Sequence, residues 1–209
     1  MKTKALAWLL MVIMVVAVLS GASCGGAKEI TVTQGDGTMV KFKDTGKKPL
    51  MLADTGKKYT ATIVTEKGNL VIELFAKDVP MTVSNFVSLA LQGYYNDSTF
   101  HRVIPGFMAQ GGDPTGTGSG GPGYTFANEI TKHKHVVGAV SMAHSSLPNS
   151  NGSQFFICYQ AQPSLDGGYS VFGQLIEGMD VLLNITPRDP TKNPQFTGDK
   201  ILKITIKVE

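Results

Sequence analysis

Cysteine, tryptophan and net charge are all scarce in this chain of 209 residues. The two cysteines, Cys24 and Cys158, allow one disulfide at most, and only if Cys24 stays unmodified. Cys158 lies between Ile157 and Tyr159 with no basic group near it in sequence, so it reads as a small buried hydrophobe and not as a nucleophile. The formal charge is +3, and Lys2 and Lys4 supply two of those charges. The rest of the chain is nearly neutral, which argues against electrostatic binding of nucleic acid. Metal-ligand spacing is missing as well. His133 and His135, in Lys132-His-Lys-His135, have no third ligand close by and read as a solvated turn. No cofactor or metal is expected. What is present, 42% hydrophobic and 17% charged residues, suits one globular domain with appendages.

The one tryptophan, Trp8, falls in the first apolar run. Lys2 and Lys4 precede that run, which covers residues 5–19, and Ser20-Gly-Ala-Ser23 follows it. This is the layout of a secretory signal over residues 1–23. The run is shorter than the roughly 20 residues a membrane span needs. Cys24 directly after small residues resembles a lipoprotein box, although Gly21 stands where that pattern usually has leucine. Acylation of Cys24 would anchor the protein to a membrane without spanning it; plain secretion is the alternative. Either way the protein is expected outside the cytoplasm.

Residues 24–58 read as a lipid-anchor cysteine and a polar spacer. Within them, Ile30 and Val32 alternate before Gln34-Gly-Asp-Gly37, and Val40 and Phe42 after it, which suggests a hairpin. Asp44-Thr-Gly recurs as Asp54-Thr-Gly, a triplet also used by aspartic proteases. Ten residues cannot separate two lobes, and Lys57 and Lys58 suit an exposed turn better than a buried dyad.

The folded domain is expected over residues 59–209. Residues 59–65 and 69–75 flank a Glu66-Lys-Gly68 turn and predict a β-hairpin. Pro80 opens a helix whose Val83, Phe86, Val87, Ala90 and Leu91 share one face, and Gly93 ends it. Short apolar strands are expected near residues 100–104, 107–110, 136–142, 155–159 and 171–175. A second helix is expected over 179–185. In the last strand Leu202, Ile204, Ile206 and Val208 alternate with polar residues. Short strands, Gly/Pro turns and two helices predict a mainly β fold, a closed antiparallel barrel with helical caps.

Two runs carry the chemistry. Residues 100–113 read Phe-His-Arg-Val-Ile-Pro-Gly-Phe-Met-Ala-Gln-Gly-Gly-Asp, with Arg102 among apolar groups and no carboxylate before Asp113. Residues 151–157 read Asn-Gly-Ser-Gln-Phe-Phe-Ile. Together they resemble the signature segments of the cyclophilins, the peptidyl-prolyl cis/trans isomerases. The resemblance extends with gaps over residues 59–208. It implies an eight-stranded barrel with a helix at each open end. It implies a catalytic role for Arg102, with Gln154 a second polar group beside it. Phe107, Met108 and Gln110 match positions that wall the proline pocket and bind substrate backbone. Phe156 matches the pocket floor and Leu165 another wall. Ala143 and His144 match the segment along the bound peptide, and Tyr169 matches a pocket edge that is often histidine. The implied partners are X–Pro-containing polypeptides, met by a monomer.

The reaction explains why so few reactive groups suffice. Resonance gives the peptide C–N bond a rotation barrier of about 18–20 kcal/mol. The two X–Pro isomers lie close in energy but exchange slowly. A fixed cation that donates to the prolyl nitrogen draws its lone pair out of resonance, and arginine is always charged and rigidly forked. The rival reading is a non-catalytic module that holds proline-containing segments; burying Arg102 for binding alone would be costly. This chain departs from the resemblance at two places. Ser164 replaces a tryptophan common in eukaryotic members, where it helps grip cyclosporin, and His144 stands where asparagine is common. Gly116-Thr-Gly-Ser-Gly-Gly121 satisfies a dinucleotide fingerprint, but Pro122 and Gly123 follow, so no helix can open behind it; it reads as a loop near the pocket.

Overall fold

The computed structural model describes residues 28–33, 39–44, 48–49, 51–147 and 149–209. The leader expected over residues 1–23 and the acylation expected at Cys24 lie outside the described residues. Strands β1 (Lys28–Thr33) and β2 (Met39–Asp44) pair antiparallel, with Ile30 opposite Phe42 and Val32 opposite Val40. The hairpin read from that alternation is therefore present.

The main body is one nine-stranded antiparallel sheet. Its strands are β3 (Tyr59–Thr65), β4 (Gly68–Leu74), β5 (Ser98–Thr99), β6 (Arg102–Ile104) and β7 (Met108–Gly111), then β8 (Ala139–Met142), β9 (Phe155–Cys158), β10 (Val171–Glu177) and β11 (Lys200–Val208). The order across the sheet is β5-β11-β3-β4-β10-β8-β9-β7-β6. The expected closed barrel of eight strands is corrected to an open half-barrel of nine. The two edge strands, β5 and β6, follow one another in the chain with only Phe100 and His101 between them. They do not pair because other segments take their places. Val103 of β6 and Arg188 exchange backbone bonds of 2.7 and 2.9 Å, and Phe100 N donates to Asp199 O. An extra-domain partner is unnecessary to satisfy these edges.

The β3/β4 hairpin closes where Thr65 stands opposite Gly68, and the Thr65 hydroxyl donates to Gly68 O at 2.8 Å. Gly68 has φ +134°, and a Cβ there would lie 2.8 Å from Val181, a residue of the short helix α2 (Met179–Leu183). Only glycine lets the hairpin tip lie this close to the helix. In β11 the expected alternation shifts. A bulge between Ile201 and Lys203 turns Ile201 inward and leaves Leu202 40% exposed, while Ile204 and Ile206 stay buried.

Helix α1 (Pro80–Leu91) begins with proline in its first turn. It ends at Gly93 (φ +69°), where Gly93 N reaches Ala90 O and Tyr94 N reaches Leu89 O, the paired bonds of a glycine-terminated helix. Val83, Phe86, Val87 and Ala90 pack into the core as read. The opposite face is buried too. Ser84 accepts from Ala53 N, and Asn85 donates to Gly152 O and accepts from the Tyr124 hydroxyl. Residues 51–58 thus lie against the domain: Ala53 packs on the core, and Lys58 and Glu209 exchange backbone bonds. The second Asp-Thr-Gly triplet is an exposed turn in which Asp54 accepts from Gly56 N at 2.9 Å. Among the described residues no helix is long and apolar enough to cross a membrane.

Candidate active site

Strand β7 lies between β6 and β9, and its register assembles the site. Gln110 stands opposite Arg102 on one side and opposite Phe156 on the other; Phe156 in turn stands opposite Ser141. Directly opposed residues point to the same side of a sheet. Arg102, Gln110, Phe156 and Ser141 therefore form one row. The neighbouring row, Val103, Ala109, Ile157 and Val140, enters the main core. Met108, Phe156, Cys158, Ala139 and Val171 form a second, smaller apolar cluster on the site's side of the sheet.

Over this cluster opens a pocket of about 130 Å³. Phe156, 5% exposed, lies at its base with Met108. Phe107 and Leu165 form walls, and Ala143, His144 and Tyr169 form the far rim. Arg102 and Gln110 complete the lining. The sequence-predicted residues thus converge on one place, with one exception. Gln154 is absent from this lining and faces a neighbouring groove of about 520 Å³.

Gln154, expected beside Arg102, is linked to it by hydrogen bonds through Gln110. Arg102 Nη1 donates to Gln110 Oε1 at 3.4 Å and approaches Met108 Sδ at 3.8 Å. Gln110 Nε2 then donates to Gln154 Oε1 at 2.9 Å. The register forces this order, since Gln110 is the cross-strand neighbour of Arg102. The guanidinium also lies 5.5 Å from the Phe107 ring centroid. It forms no ion pair with a carboxylate among the described residues. Its hydrogen-bond and ring partners are neutral, and the Asp189 carboxylate feels its charge only at longer range.

Gln154 is held from behind by the glycine-rich loop, donating to Gly118 O and Gly120 O at 3.0 and 2.9 Å. The fully buried Asp113 ties that loop. Its carboxylate accepts from Thr115 N and Oγ1, Gly118 N and Gly120 N at 2.6–3.0 Å. A Cβ at Gly120 would lie 2.0 Å from Asp113 Oδ1, so only glycine fits there. Burial alone would raise the Asp113 pKa, but the bonds from Gly120, Thr115 and Gly118 outweigh it and hold the carboxyl at about 2. The loop is knotted around a side chain and no helix follows it, which rules out the dinucleotide reading.

Beneath the pocket base lies a group that the sequence reading misplaced. His135 is 2% exposed, not part of a solvated turn. Its Nδ1 lies 2.9 Å from Asp166 Oδ1, its Nε2 lies 3.2 Å from Ser141 Oγ, and its ring stacks on Phe156 at 5.9 Å. The Asp–His–Ser connectivity is that of a nucleophilic triad. Ser141, however, is fully buried and donates its hydroxyl to Ser170 O, so the trio supports Phe156 and attacks nothing. His133 instead stacks on Phe75 at 4.0 Å and meets Asp78 at 2.7 Å. Cys158 packs below the pocket, where burial pushes its thiol up to about 12, as suits an inert side chain. Among the described residues no group of three or more His, Cys, Asp or Glu could hold a metal ion.

A family model described as cyclophilin type peptidyl-prolyl cis-trans isomerase matches residues 60–206. The chain belongs to this family. A peptidyl-prolyl cis-trans isomerase of Synechococcus elongatus is 47% identical over 146 residues, covering 70% of this chain and 94% of that protein. A Helicobacter pylori peptidyl-prolyl cis-trans isomerase is 49% identical over 142 residues, covering 66% and 86%. Among solved structures, a Cryptosporidium parvum cyclophilin shares the fold at TM-score 0.66 and 42% identity, over 71% of this chain and 97% of that one. A second structure of that cyclophilin, obtained in the presence of the dipeptide Ala-Pro, gives 0.65 and 43%. This cyclophilin's activity is accordingly the cis/trans isomerisation of peptidyl-prolyl bonds.

Sequence reasoning missed Asp113 as the organiser of the loop and His135 as the support of the base. Asp113 was visible as the end of the first run, but nothing local shows that its partners are backbone amides. Asn128 gave no signal at all. Its Nδ2 donates to Gly168 O at 2.9 Å beside the rim, and Asn151 Nδ2 holds its Oδ1 at 2.8 Å.

Proposed function

We propose that Arg102 drives the isomerisation by donating a hydrogen bond to the prolyl nitrogen as the bond twists, while the pocket over Phe156 holds the proline ring. A charged hydrogen bond nets about 1.5–3 kcal/mol, roughly ten- to a hundredfold in rate. Apolar binding of the twisted peptide by Phe107, Met108 and Leu165 supplies the rest. Gln110 orients the guanidinium, Gln154 braces Gln110, and the backbone at Ala143 and His144 runs along the peptide. The observation that carries this reading is Arg102 itself, a cation with neutral hydrogen-bond partners at the wall of a proline-sized pocket whose base is Phe156 and Met108. The related cyclophilin studied with Ala-Pro supports the same ligand class. The substrates are extended X–Pro segments of proteins folding outside the cytoplasm, where proline isomerisation limits folding. The protein reaches them as a monomer, exported by residues 1–23 and anchored through Cys24.

NMR exchange on a blocked X–Pro peptide tests the mechanism. Arg102→Ala should lose at least about tenfold of the rate at saturating peptide while still binding it. Full activity in that variant would remove Arg102 from the reaction. Because arginine does not titrate near neutrality, the rate at saturation should stay flat between about pH 6 and 8. Mass spectrometry of the mature N-terminus checks the acyl group on Cys24.

A further inference from the structure

His144 stands at the rim with both ring nitrogens against carbonyl oxygens. Nδ1 lies 2.7 Å from Ser145 O, and Nε2 lies 2.9 Å from Gly168 O. A neutral imidazole carries one N–H and can donate to one of them. The other contact then sets a ring lone pair against an oxygen lone pair at less than 3 Å. The imidazolium donates to both.

Neighbouring groups do not relieve this conflict. Asn151 pins Asn128 Oδ1, so Asn128 presents its Nδ2 to Gly168 O at 2.9 Å and to His144 Nε2 at 3.4 Å. At 3.4 Å the amide gives a deprotonated Nε2 little, and it leaves Nε2 facing Gly168 O. From the segment that holds Asn128, the Glu129 carboxylate is turned away onto Met81 N and Thr82 N of α1. From the segment that holds Gly168, Asp166 is engaged by His135 and Lys134. Tyr169 lies face to face with His144 at 4.2 Å, and Arg102 lines the same pocket from β6. No carboxylate among these takes up the ring protons; backbone oxygens do.

We propose that His144 is a proton-operated positioning residue of the peptide site. As imidazolium it ties the Ser145 and Gly168 backbones together across the rim. As neutral imidazole it keeps its proton on Nδ1 towards Ser145 O, since the Asn128 amide faces Nε2, and releases Gly168. Gly168 precedes Tyr169, whose ring stacks on His144 and meets Phe156 edge-on at 6.0 Å and 85°. The tie therefore sets the wall that faces the pocket base, and its release loosens that wall. His144 and Ala143 also line the 520 Å³ groove beside the pocket, so the tie stands where a peptide longer than a dipeptide would pass. This inference rests on the pocket being a proline-peptide site. The consequence is a protein that holds X–Pro segments more tightly in mildly acidic surroundings, with the pH dependence falling on KM and not on kcat.

The test uses a blocked Ala-Pro peptide with no titrating group, measured with wild type and His144→Asn. The neutral amide of the variant cannot gain a proton. Wild type should bind about three- to tenfold more tightly at about pH 5.5 than at about pH 8, less than a full charged hydrogen bond because one bond survives deprotonation. The variant should show a ratio near one. In parallel, imidazole 15N signals and the backbone amide signals of Gly168 and Tyr169 are followed against pH in the wild type. They should move together as His144 loses its second proton. A wild-type ratio that persists in His144→Asn would overturn the proposal, as would deprotonation of His144 without movement of Gly168 and Tyr169. Absence of peptide binding by both proteins at every pH would instead defeat the reading of the pocket, and the amide titration would still decide the tie.

Discussion

Phe155 and Phe156 are neighbours in β9 and face opposite sides of the sheet. Phe155 enters the main core, where Phe86 and Tyr95 meet it edge-on at 5.5 and 5.8 Å. Phe156 forms the base of the pocket, with Tyr169 and His135 at 6.0 and 5.9 Å. On the core side apolar surface meets apolar surface and nothing is left open. On the site side a smaller apolar cluster is framed by polar groups: His135 with Asp166 and Ser141 below, Gln110 with Gln154 at the flank, and the loop tied by Asp113. Such a frame lets apolar surface stay open to a ligand without collapsing. One side of the sheet is built for stability and the other for binding, and the period of two along a strand keeps them apart.

Truncating the two phenylalanines breaks the comparison most sharply. Phe155→Ala should cost about 3–5 kcal/mol by urea denaturation, because a full ring leaves a closed core. Phe156→Ala should cost about 2 kcal/mol or less, since its ring already borders open space, yet it should abolish measurable peptide binding. Equal stability losses in the two variants would mean that the pocket side is core as well.

Asp113 tests the polar frame alone. Asp113→Asn removes a carboxylate that five donors surround, and it should cost about 1–3 kcal/mol. Gln154 should lose its two carbonyl partners, and peptide turnover should fall more than peptide binding. The folded carboxyl sits at about 2, below its ordinary 3.8. Its stabilisation is therefore complete above the ordinary value and is lost as the pH falls from there towards 2. The asparagine variant should lack that part of the acid transition. An unchanged acid limb in thermal melts would take Asp113 out of the frame.

The legible parts of this molecule are those with local causes. Pro80 and Gly93 bound α1 because a missing N–H and a positive φ act where they stand. The β3/β4 hairpin follows from alternation around one turn. Most pocket residues could be named because two continuous runs resemble a family's signature segments; that these runs lie on adjacent strands is seen only in the fold. Partners brought from afar were not legible. Glu129 caps α1 from 47 and 48 residues away, and Ser84 and Asn85 look like a solvent face until residues 51–54 and 152 cover them. The strand count failed for the same reason: Arg188 fills the edge where β5 would have closed the sheet. His135 was misread because its charged neighbours suggest solvent, while its actual partners, Asp166 and Phe156, come from elsewhere in the chain.

The smallest effect lies where the two edges of the sheet meet. His101, between β5 and β6, is 1% exposed, and neither ring nitrogen makes a well-formed hydrogen bond among the described residues. Burial lowers its pKa; the Asp113 charge and the Thr99 backbone oppose that shift and the Arg188 charge adds to it. A histidine that is harder to protonate when folded leaves the unfolded chain holding more protons below its ordinary value of 6.5. Stability attributable to His101 is thus fully present above about pH 6.5 and declines as the pH falls below it. Phenylalanine offers a similar ring with no nitrogen to desolvate, so His101→Phe should match or exceed the wild type near pH 8. Its advantage should then widen through pH 6 and 5. Because the two proteins differ at this residue alone, the difference between the two melting curves isolates His101. A difference that stays constant with pH would show that the ring is paired after all, and that the corner is as well satisfied as the core beside it.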